Sequence, residues 1–219
     1  MAIEREIKLF VGGDITPLTE NATKEYEIIQ FYIGDGIRIN MNTKRGAKFC
    51  IKRHIEGYDR HEYEYNIPFT DALELFTLHQ GRFIHKKRWV LDNNTIWPYF
   101  KNKYGEQITR SVLDGVEVTL DKFLSFHRTL NIMELEGENI PEYITMIETS
   151  KFHPVYIINN LTTEEKWIRR SITGADYIDR DITNEMLANY DLENGKLIPT
   201  TIKPHGDHKA RILSEFLAS

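Results

Sequence analysis

One pattern limits this chain more than any other: short runs, bounded by turn residues, in which charged and apolar side chains alternate one by one. Successive side chains of a β-strand point to opposite faces, so each run sets a charged face against an apolar one. The opening run, residues 3–10, places Glu4, Glu6 and Lys8 on one face and Ile3, Ile7 and Leu9 on the other, and Gly12, Gly13 and Asp14 close it. Residues 26–33 are β-branched and aromatic and end at Gly34, Asp35 and Gly36, as one arm of a hairpin would. Residues 37–42 then set Arg38, Asn40 and Asn42 against Ile37, Ile39 and Met41, and residues 48–54 set Lys48 and Lys52 against Phe49 and Ile51. Residues 60–65 group Arg60, Glu62 and Glu64 with tyrosines opposite. The alternation returns over 82–92, with Lys86 and Arg88 in phase and Phe83, His85 and Trp89 opposed. It returns again over 116–123, with Glu117, Thr119 and Asp121 together, and over 130–138, with Glu134 and Glu136 together.

Between and after these runs the spacing changes. Pro68, Phe69, Thr70 and Asp71 open a helical pattern that lasts to Gly81, and residues 142–150, 162–172, 183–189 and 208–217 also read as helices. Thr162 with Glu165 three residues on makes a capping box for the second of these. A turn is expected at Glu193, Asn194 and Gly195, and residues 93–114 show no assignable pattern. No internal repeat or low-complexity tract is visible.

An open sheet wet on one face would satisfy the alternation, and the helices would cover its apolar side. Such a sheet does not explain the grouping by charge type, with acidic pairs at both ends of the series and Lys or Arg prominent between them. A barrel would turn these faces inward and make a bore lined by both signs. That interior must hold water, metal and a charged ligand, because unpaired charge in a dry core is prohibitively costly. With 219 residues, 41% of them hydrophobic, the chain is long enough for one sizeable core. Its net charge of −5, with both signs interspersed, offers no basic field for nucleic acid, so an anionic ligand needs a local cluster. The lone Cys50 excludes an intramolecular disulfide framework and a cysteine-rich zinc site. The opening residues lack the apolar core of a signal peptide and no run approaches a membrane span, so a soluble, cytoplasmic protein is expected.

On the first strand, Glu4 and Glu6 would lie about 7 Å apart with Lys8 in line, an arrangement suited to a hard cation beside an anionic group. At this point the residues resemble a known family. Glu4, Glu6 and Lys8 are similar to the ExExK opening of the CYTH superfamily, the triphosphate tunnel metalloenzymes, and further matches follow in that family's order. Gln30 and Tyr32 resemble its Q-x-Y strand, Arg38 the first arginine of R-x-R, and Lys52 the T-x-K lysine. Arg60, Glu62 and Glu64 resemble R-x-E-x-E, and Lys86 and Arg88 resemble K-x-R. Glu117, Thr119, Asp121 and Phe123 resemble the E-V-T and D-x-F strand, and Glu134 and Glu136 the late E-x-E pair. Two positions depart: Asn40 replaces the second arginine of R-x-R, and Cys50 the threonine of T-x-K.

The resemblance covers residues 1–172 and implies an α+β chain: an eight-stranded antiparallel β-barrel, the triphosphate tunnel, with a polar, charged interior and helices packed outside. Residues 173–219 would form a C-terminal helical extension, compatible with a lid, a homodimer contact or simple packing. The same resemblance implies that Lys8, Arg38, Lys52, Lys86 and Arg88 clamp a triphosphate, and that Glu4, Glu6, Glu134 and Glu136 are the catalytic, metal-holding carboxylates for Mg²⁺ or Mn²⁺. Glu62, Glu64, Glu117 and Asp121 would support them. Implied activities are hydrolysis of inorganic triphosphate, thiamine triphosphate, a nucleotide or an RNA 5′-triphosphate end, or cyclisation of ATP as in a class IV adenylate cyclase. A non-catalytic polyphosphate-binding module is the remaining reading. The implied partner is a small triphosphate, with nucleic acid only as an RNA 5′-triphosphate end and no membrane.

His61 and His85 fall on the outer face by parity, which removes them as general bases of the bore. Tyr63, Tyr65, Phe83 and Trp89 are expected to pack on the outside under helices. Gly34 and Gly36 form a turn with no helix after them, so they are not a phosphate-binding loop.

Overall fold

The computed structural model describes residues 2–11, 14–34, 36–56, 59–81, 83–104, 110–124, 131–138, 190–193, 196–199 and 206–219. Eight strands close into one barrel: β1 (Ala2–Phe10), β2 (Lys24–Gly34), β3 (Ile37–Asn42), β4 (Ala47–Glu56), β5 (Asp59–Asn66), β6 (Phe83–Leu91), β7 (Glu117–Phe123) and β8 (Asn131–Glu136). Their order around the wall is β1-β5-β4-β3-β2-β6-β7-β8, and every neighbouring pair is antiparallel. Closure removes both sheet edges, and alternation then has only two destinations, bore and outside. The expected eight-stranded antiparallel barrel is the observed one.

The turns hold the register that lines the bore. At the β2–β3 hairpin Gly36 has φ +64° and sits so close to β4 that a Cβ would meet the Lys52 carbonyl oxygen at 2.6 Å. Only glycine fits there, and the Lys52 N–H donates to the Gly36 oxygen at 2.9 Å. The tip of one hairpin therefore fixes the strand position of a bore lysine. At the β3–β4 turn Asn42 Oδ1 accepts from the backbone N–H groups of Lys44 and Gly46, at 3.0 and 3.1 Å.

The hydrophobic core lies outside the barrel. Ile29, Phe31, Ile39, Met41 and Phe83 face out from β2, β3 and β6 and are buried under α2 (Phe69–Leu78) and the terminal helix. Phe76 of α2 meets Phe83 edge-on at 5.0 Å and Phe31 at 5.4 Å. Elsewhere on the wall Trp89, Leu91, Val118, Leu120, Met133 and Leu135 are also buried. A short helix, α1 (Thr16–Thr19), lies against β6 on the strength of the buried Leu18.

Residues 93–114, unassignable from pattern, contain α3 (Asn93–Tyr104) and a 3-10 turn at Arg110–Leu113. Asn93 Nδ2 ties the two together by donating to the carbonyls of Leu113 and Val116, at 2.7 and 3.1 Å. Pro98 stands inside α3, where it removes a backbone donor, and this is why the stretch did not read as a helix. The helices expected at 142–150, 162–172 and 183–189 lie outside the described residues.

In the last part of the chain β9 (Tyr190–Glu193) and β10 (Lys196–Pro199) pair as a hairpin around the expected turn, so the extension is not helical throughout. The terminal helix, α4 (Gly206–Ala218), is present as expected. Ile212 and Phe216 insert into the outer core, and Lys209 Nζ donates to the carbonyls of Thr77 and His79, at 3.2 and 2.6 Å. These are carbonyls at the end of α2, where a cation is favoured. Tyr65, by contrast, is not under a helix but 56% exposed. No described helix is long and apolar enough to cross a membrane.

Candidate active site

The barrel encloses a cavity of about 280 Å³. Seven carboxylates line it, Glu4, Glu6, Glu62, Glu64, Glu117, Glu134 and Glu136, against five described cations, Arg38, Lys48, Lys52, Lys86 and Arg88. Eleven of these twelve were candidate site residues in the sequence; Lys48 was read as in phase with Lys52 but given no role. Lys8 stands opposite Glu134 in the β1–β8 register, and its side chain is not among those described.

Antiparallel pairing arranges the charges in rows. Across β8, Glu136 is the register partner of both Glu6 on β1 and Glu117 on β7, so three carboxylates stand side by side. Like charges directly opposite are destabilising. Glu4, 5% exposed, approaches this row from β1. One oxygen from each of Glu4, Glu62 and Glu136 lies within 4.8 Å of the others. Lys52 reaches into the cluster, paired to Glu4 and 3.4 Å from Glu62, and Arg38 lies 3.6 Å from Glu62. One lysine does not balance the crowd. Burial first, and then Glu6, raise the Glu4 carboxyl above its ordinary range against the pull of Lys52. Burial, with Glu4 and Glu6, pushes Glu136 up to about 7.

The opposite wall is organised differently. Lys86 on β6 is bonded to Asp121 on β7, both 1% exposed. Arg88 lays its fork on the same carboxylate, Nε to Oδ1 at 2.7 Å and a terminal nitrogen to Oδ2 at 2.6 Å, and also bonds Glu134. Burial and the neighbouring Arg88 push the Lys86 ammonium below its usual range. The carboxylate of Glu134, grouped in the sequence with Glu4, Glu6 and Glu136, is engaged with Arg88, and Glu62 lies beside Glu4 and Glu136.

On the third side, Glu64 accepts from Lys48 and from Cys50, the latter at 3.3 Å, while Asn40 Nδ2 lies 3.5 Å from Cys50 Sγ. Three buried polar atoms of bore residues, Glu4 Oε2, Arg38 Nε and Thr119 Oγ1, have no hydrogen-bond partner among the described residues, and neither has Asn40 Oδ1. Buried polar groups are normally satisfied, so these atoms stand available to a ligand. Glu4 Oε2 wants a cation and Arg38 Nε an anion. Thr119 and Asn40 carried no role in the sequence; their phase with Asp121 and Arg38 was the available signal.

His85, on the outer face, bonds Glu27 at 2.7 Å and stacks edge-on with Phe216 at 6.2 Å, so it belongs to α4 packing and not to the bore.

A closed antiparallel barrel with a charged bore is the triphosphate-tunnel architecture. It is the fold that the resemblance of the ordered motifs to the CYTH superfamily implied. No protein-family model matches the chain, and no curated protein does. Among solved structures it is similar to the PH1012 protein of Pyrococcus horikoshii OT3, at 16% identity over 68% of this chain and 88% of that one, TM-score 0.42. It is similar to the inorganic triphosphatase NE1496 at 18% identity over 65% and 80% of the two chains, TM-score 0.38. A third, the putative adenylyl cyclase HpAC1 from Hippeastrum, described as having a dominant triphosphatase activity, aligns at 13% identity over 76% and 95%, TM-score 0.39. What this chain can do is read from its own bore.

Proposed function

We propose that this protein is a divalent-metal-dependent hydrolase of a triphosphate-containing substrate. One observation carries the reading: among the described side chains the cavity holds more carboxylates than cations, and beside them a buried arginine donor, Arg38 Nε, without a partner among the described residues. A triphosphate carries about four negative charges, and a net acidic bore would repel it unless divalent cations entered as well.

The donor set fits such an ion. Glu4, Glu62 and Glu136 bring hard oxygens together, Glu4 Oε2 has no partner among the described residues, and Glu6 stands opposite Glu136, while Glu134 is held by Arg88. These are ligands for Mg²⁺ or Mn²⁺ and not for a soft metal. When bound, the ion would neutralise charge on the phosphates and lower the pKa of a coordinated water.

The remaining chemistry belongs to side chains. Lys52 and Arg38 hold phosphate oxygens from β4 and β3, Lys8 extends the clamp from β1, and Arg88 and Lys86 hold them from β6. Asp121 keeps the last two oriented through its fork, which removes the cost of ordering them at the moment of reaction. Glu64 and Glu117 bound the cavity on two sides and discourage stray anions. In the balanced reaction a water oxygen bonds the terminal phosphorus, the bridging P–O bond breaks, and orthophosphate leaves with the protons shared among product oxygens.

Incubation with triphosphate or ATP and Mg²⁺ or Mn²⁺ should release orthophosphate in a chelator-sensitive manner. Formation of cyclic AMP and pyrophosphate instead would move the protein to the cyclase reaction. Binding without turnover of any triphosphate would sink the enzyme reading.

A further inference from the structure

Asn40 lies on β3 between Gln30 of β2 and Lys48 of β4, and its side chain lines the cavity. A short relay fixes the orientation of its amide. Lys48 has only hydrogens to give and donates to Glu64 Oε2. Glu64, paired to that cation, only accepts, so the 3.3 Å contact with fully buried Cys50 is the thiol S–H donating to Oε1. Cys50 has then given its one hydrogen, and its sulfur accepts from Asn40 Nδ2 at 3.5 Å. A flipped amide would claim the thiol hydrogen and leave Glu64 facing a sulfur lone pair. The relay therefore aims Asn40 Oδ1 away from Cys50, buried and without a partner among the described residues.

Phosphate does not satisfy that atom. The oxygens of a triphosphate near neutral pH are acceptors, which suits Arg38 Nε one bore position away but not an amide oxygen. The group that completes Asn40 must carry a hydrogen or be a cation.

We propose that Asn40 is a specificity-determining residue that accepts a hydrogen bond from the organic part of the substrate. The preferred substrate is then a triphosphate ester bearing an O–H or N–H donor, such as a nucleoside triphosphate, and not bare inorganic triphosphate. This inference rests on the triphosphatase reading and narrows it. Tyr26 and Ile28, on the neighbouring β2, line the same cavity and give an aromatic and aliphatic surface on which a ring can lie. Adjacent positions of β3 thus face the two halves of one molecule, Arg38 the phosphates and Asn40 the group they esterify.

The test is kcat/KM with Mg²⁺ for inorganic triphosphate, ATP, 2′-deoxy-ATP, 3′-deoxy-ATP, N6,N6-dimethyl-ATP and thiamine triphosphate. Asn40→Ala should lower the ATP-to-triphosphate ratio about tenfold, the scale of one hydrogen bond left unmade. Asn40→Arg should lower the ratio further by adding a phosphate donor. Cys50→Ala, which frees the amide to flip, should lower it in the same direction, and Cys50→Ser, which preserves the relay, should restore it. The wild-type protein supplies an arm that needs no folded variant: the analogue missing the donor that Asn40 reads should lose selectivity. Asn40→Ala should then discriminate no further against it. That analogue also tells a ribose hydroxyl from a base amine, and an Asn40-dependent preference for thiamine triphosphate would assign the donor to its aminopyrimidine. An ATP-to-triphosphate ratio unchanged within about twofold in Asn40→Ala, with all analogues equivalent in the wild type, overturns the inference and leaves the triphosphatase standing. Absence of hydrolysis of every substrate by the wild type overturns both.

Discussion

On the β6–β7 wall, Lys86 and Arg88 converge on Asp121, and Glu134 takes the remaining arm of Arg88. On the β1–β5–β8 side, Glu4, Glu6, Glu62 and Glu136 gather around Lys52 with Arg38 at the edge. Both walls come from strands with the same alternation, so pattern alone gives no reason for them to differ. The difference comes from pairing. β7 sets Asp121 opposite Arg88, acid against base, whereas β8 sets Glu136 opposite Glu6 and Glu117, acid against acid. A wall that neutralises itself folds into a rigid frame without help. A wall of like charges pushes its own carboxyl groups toward protonation, and it is relieved by a cation. In the proposed function the first is scaffold for phosphate and the second is a place for metal.

The comparison is broken most directly at Asp121. Asp121→Ala would leave the buried Lys86 and the half-buried Arg88 without their shared partner, and removing one member of a buried ionic group costs about 3–5 kcal/mol. Denaturant unfolding should show a loss of that size. A loss under about 1 kcal/mol would mean that the β6–β7 wall does not depend on its own pairing.

Glu6→Gln probes the other wall. Glu6 is buried and faces Glu136, so removing its charge relieves repulsion and should cost less stability than Asp121→Ala does. Turnover should drop on the order of a hundredfold, the scale at which even supporting groups of a metal site act, and more Mg²⁺ should be needed for half-maximal rate. Turnover and metal dependence both at the wild-type level would remove Glu6 from the site.

That contrast marks the line between what could be read in the chain and what could not. Parity sorted Glu4, Arg38, Lys52, Arg88 and Asp121 into one interior because alternation is local, set by two neighbouring residues. Which acid meets which base depends on register across a closed barrel, a non-local property. Glu134 accordingly went with the metal carboxylates in the sequence but bonds Arg88 in the fold, and Glu62, read as a supporting residue, joins Glu4 and Glu136. α3 was illegible for a different reason: Pro98 interrupts its signal, and what fixes it is Asn93 bonding to a turn twenty residues on. Tyr65 was placed under a helix because aromatic residues favour cover, yet α2 begins just beyond it and lies over β2, β3 and β6 instead.

The acidic wall also predicts an unusual pH response. A carboxyl held above its ordinary value binds its proton more tightly in the fold than in the unfolded chain, so stability falls as pH rises between the two values. For Glu136 that window runs from about 4.5 to about 7, and Glu4 shifts in the same direction. Salt-bridged carboxylates such as Glu64, whose carboxyl stays below its ordinary range because Lys48 outweighs burial, contribute the opposite slope at lower pH. Without metal, the unfolding midpoint should decline from pH 5 to pH 7.5. Mg²⁺ should flatten that decline, because it binds the deprotonated carboxylates of the folded state only. Glu136→Gln should flatten it too. A midpoint that is already flat in the metal-free wild type would count against the crowding of this wall.

The smallest effect is expected at Lys48, and its smallness is informative. Lys48 pairs with Glu64 at the third side of the bore, with about half of the lysine side chain exposed. Its ammonium is raised above the usual range first by the hydrogen bond to Glu64, yet water competes for that bond in a way it cannot at Lys86. Exposed pairs are worth about 0–1 kcal/mol, so Lys48→Met should cost less than about 0.5 kcal/mol in denaturant unfolding. The thiol of Cys50 still finds Glu64 in that variant, so the amide of Asn40 keeps its orientation. If Lys48→Met cost as much as Asp121→Ala, the bore would be one electrostatic network, and the division into a self-neutralised wall and a metal-seeking wall would fail. A cost near zero, beside a large one at Asp121, places a stabilising ion pair on the β6–β7 wall and none at this third side.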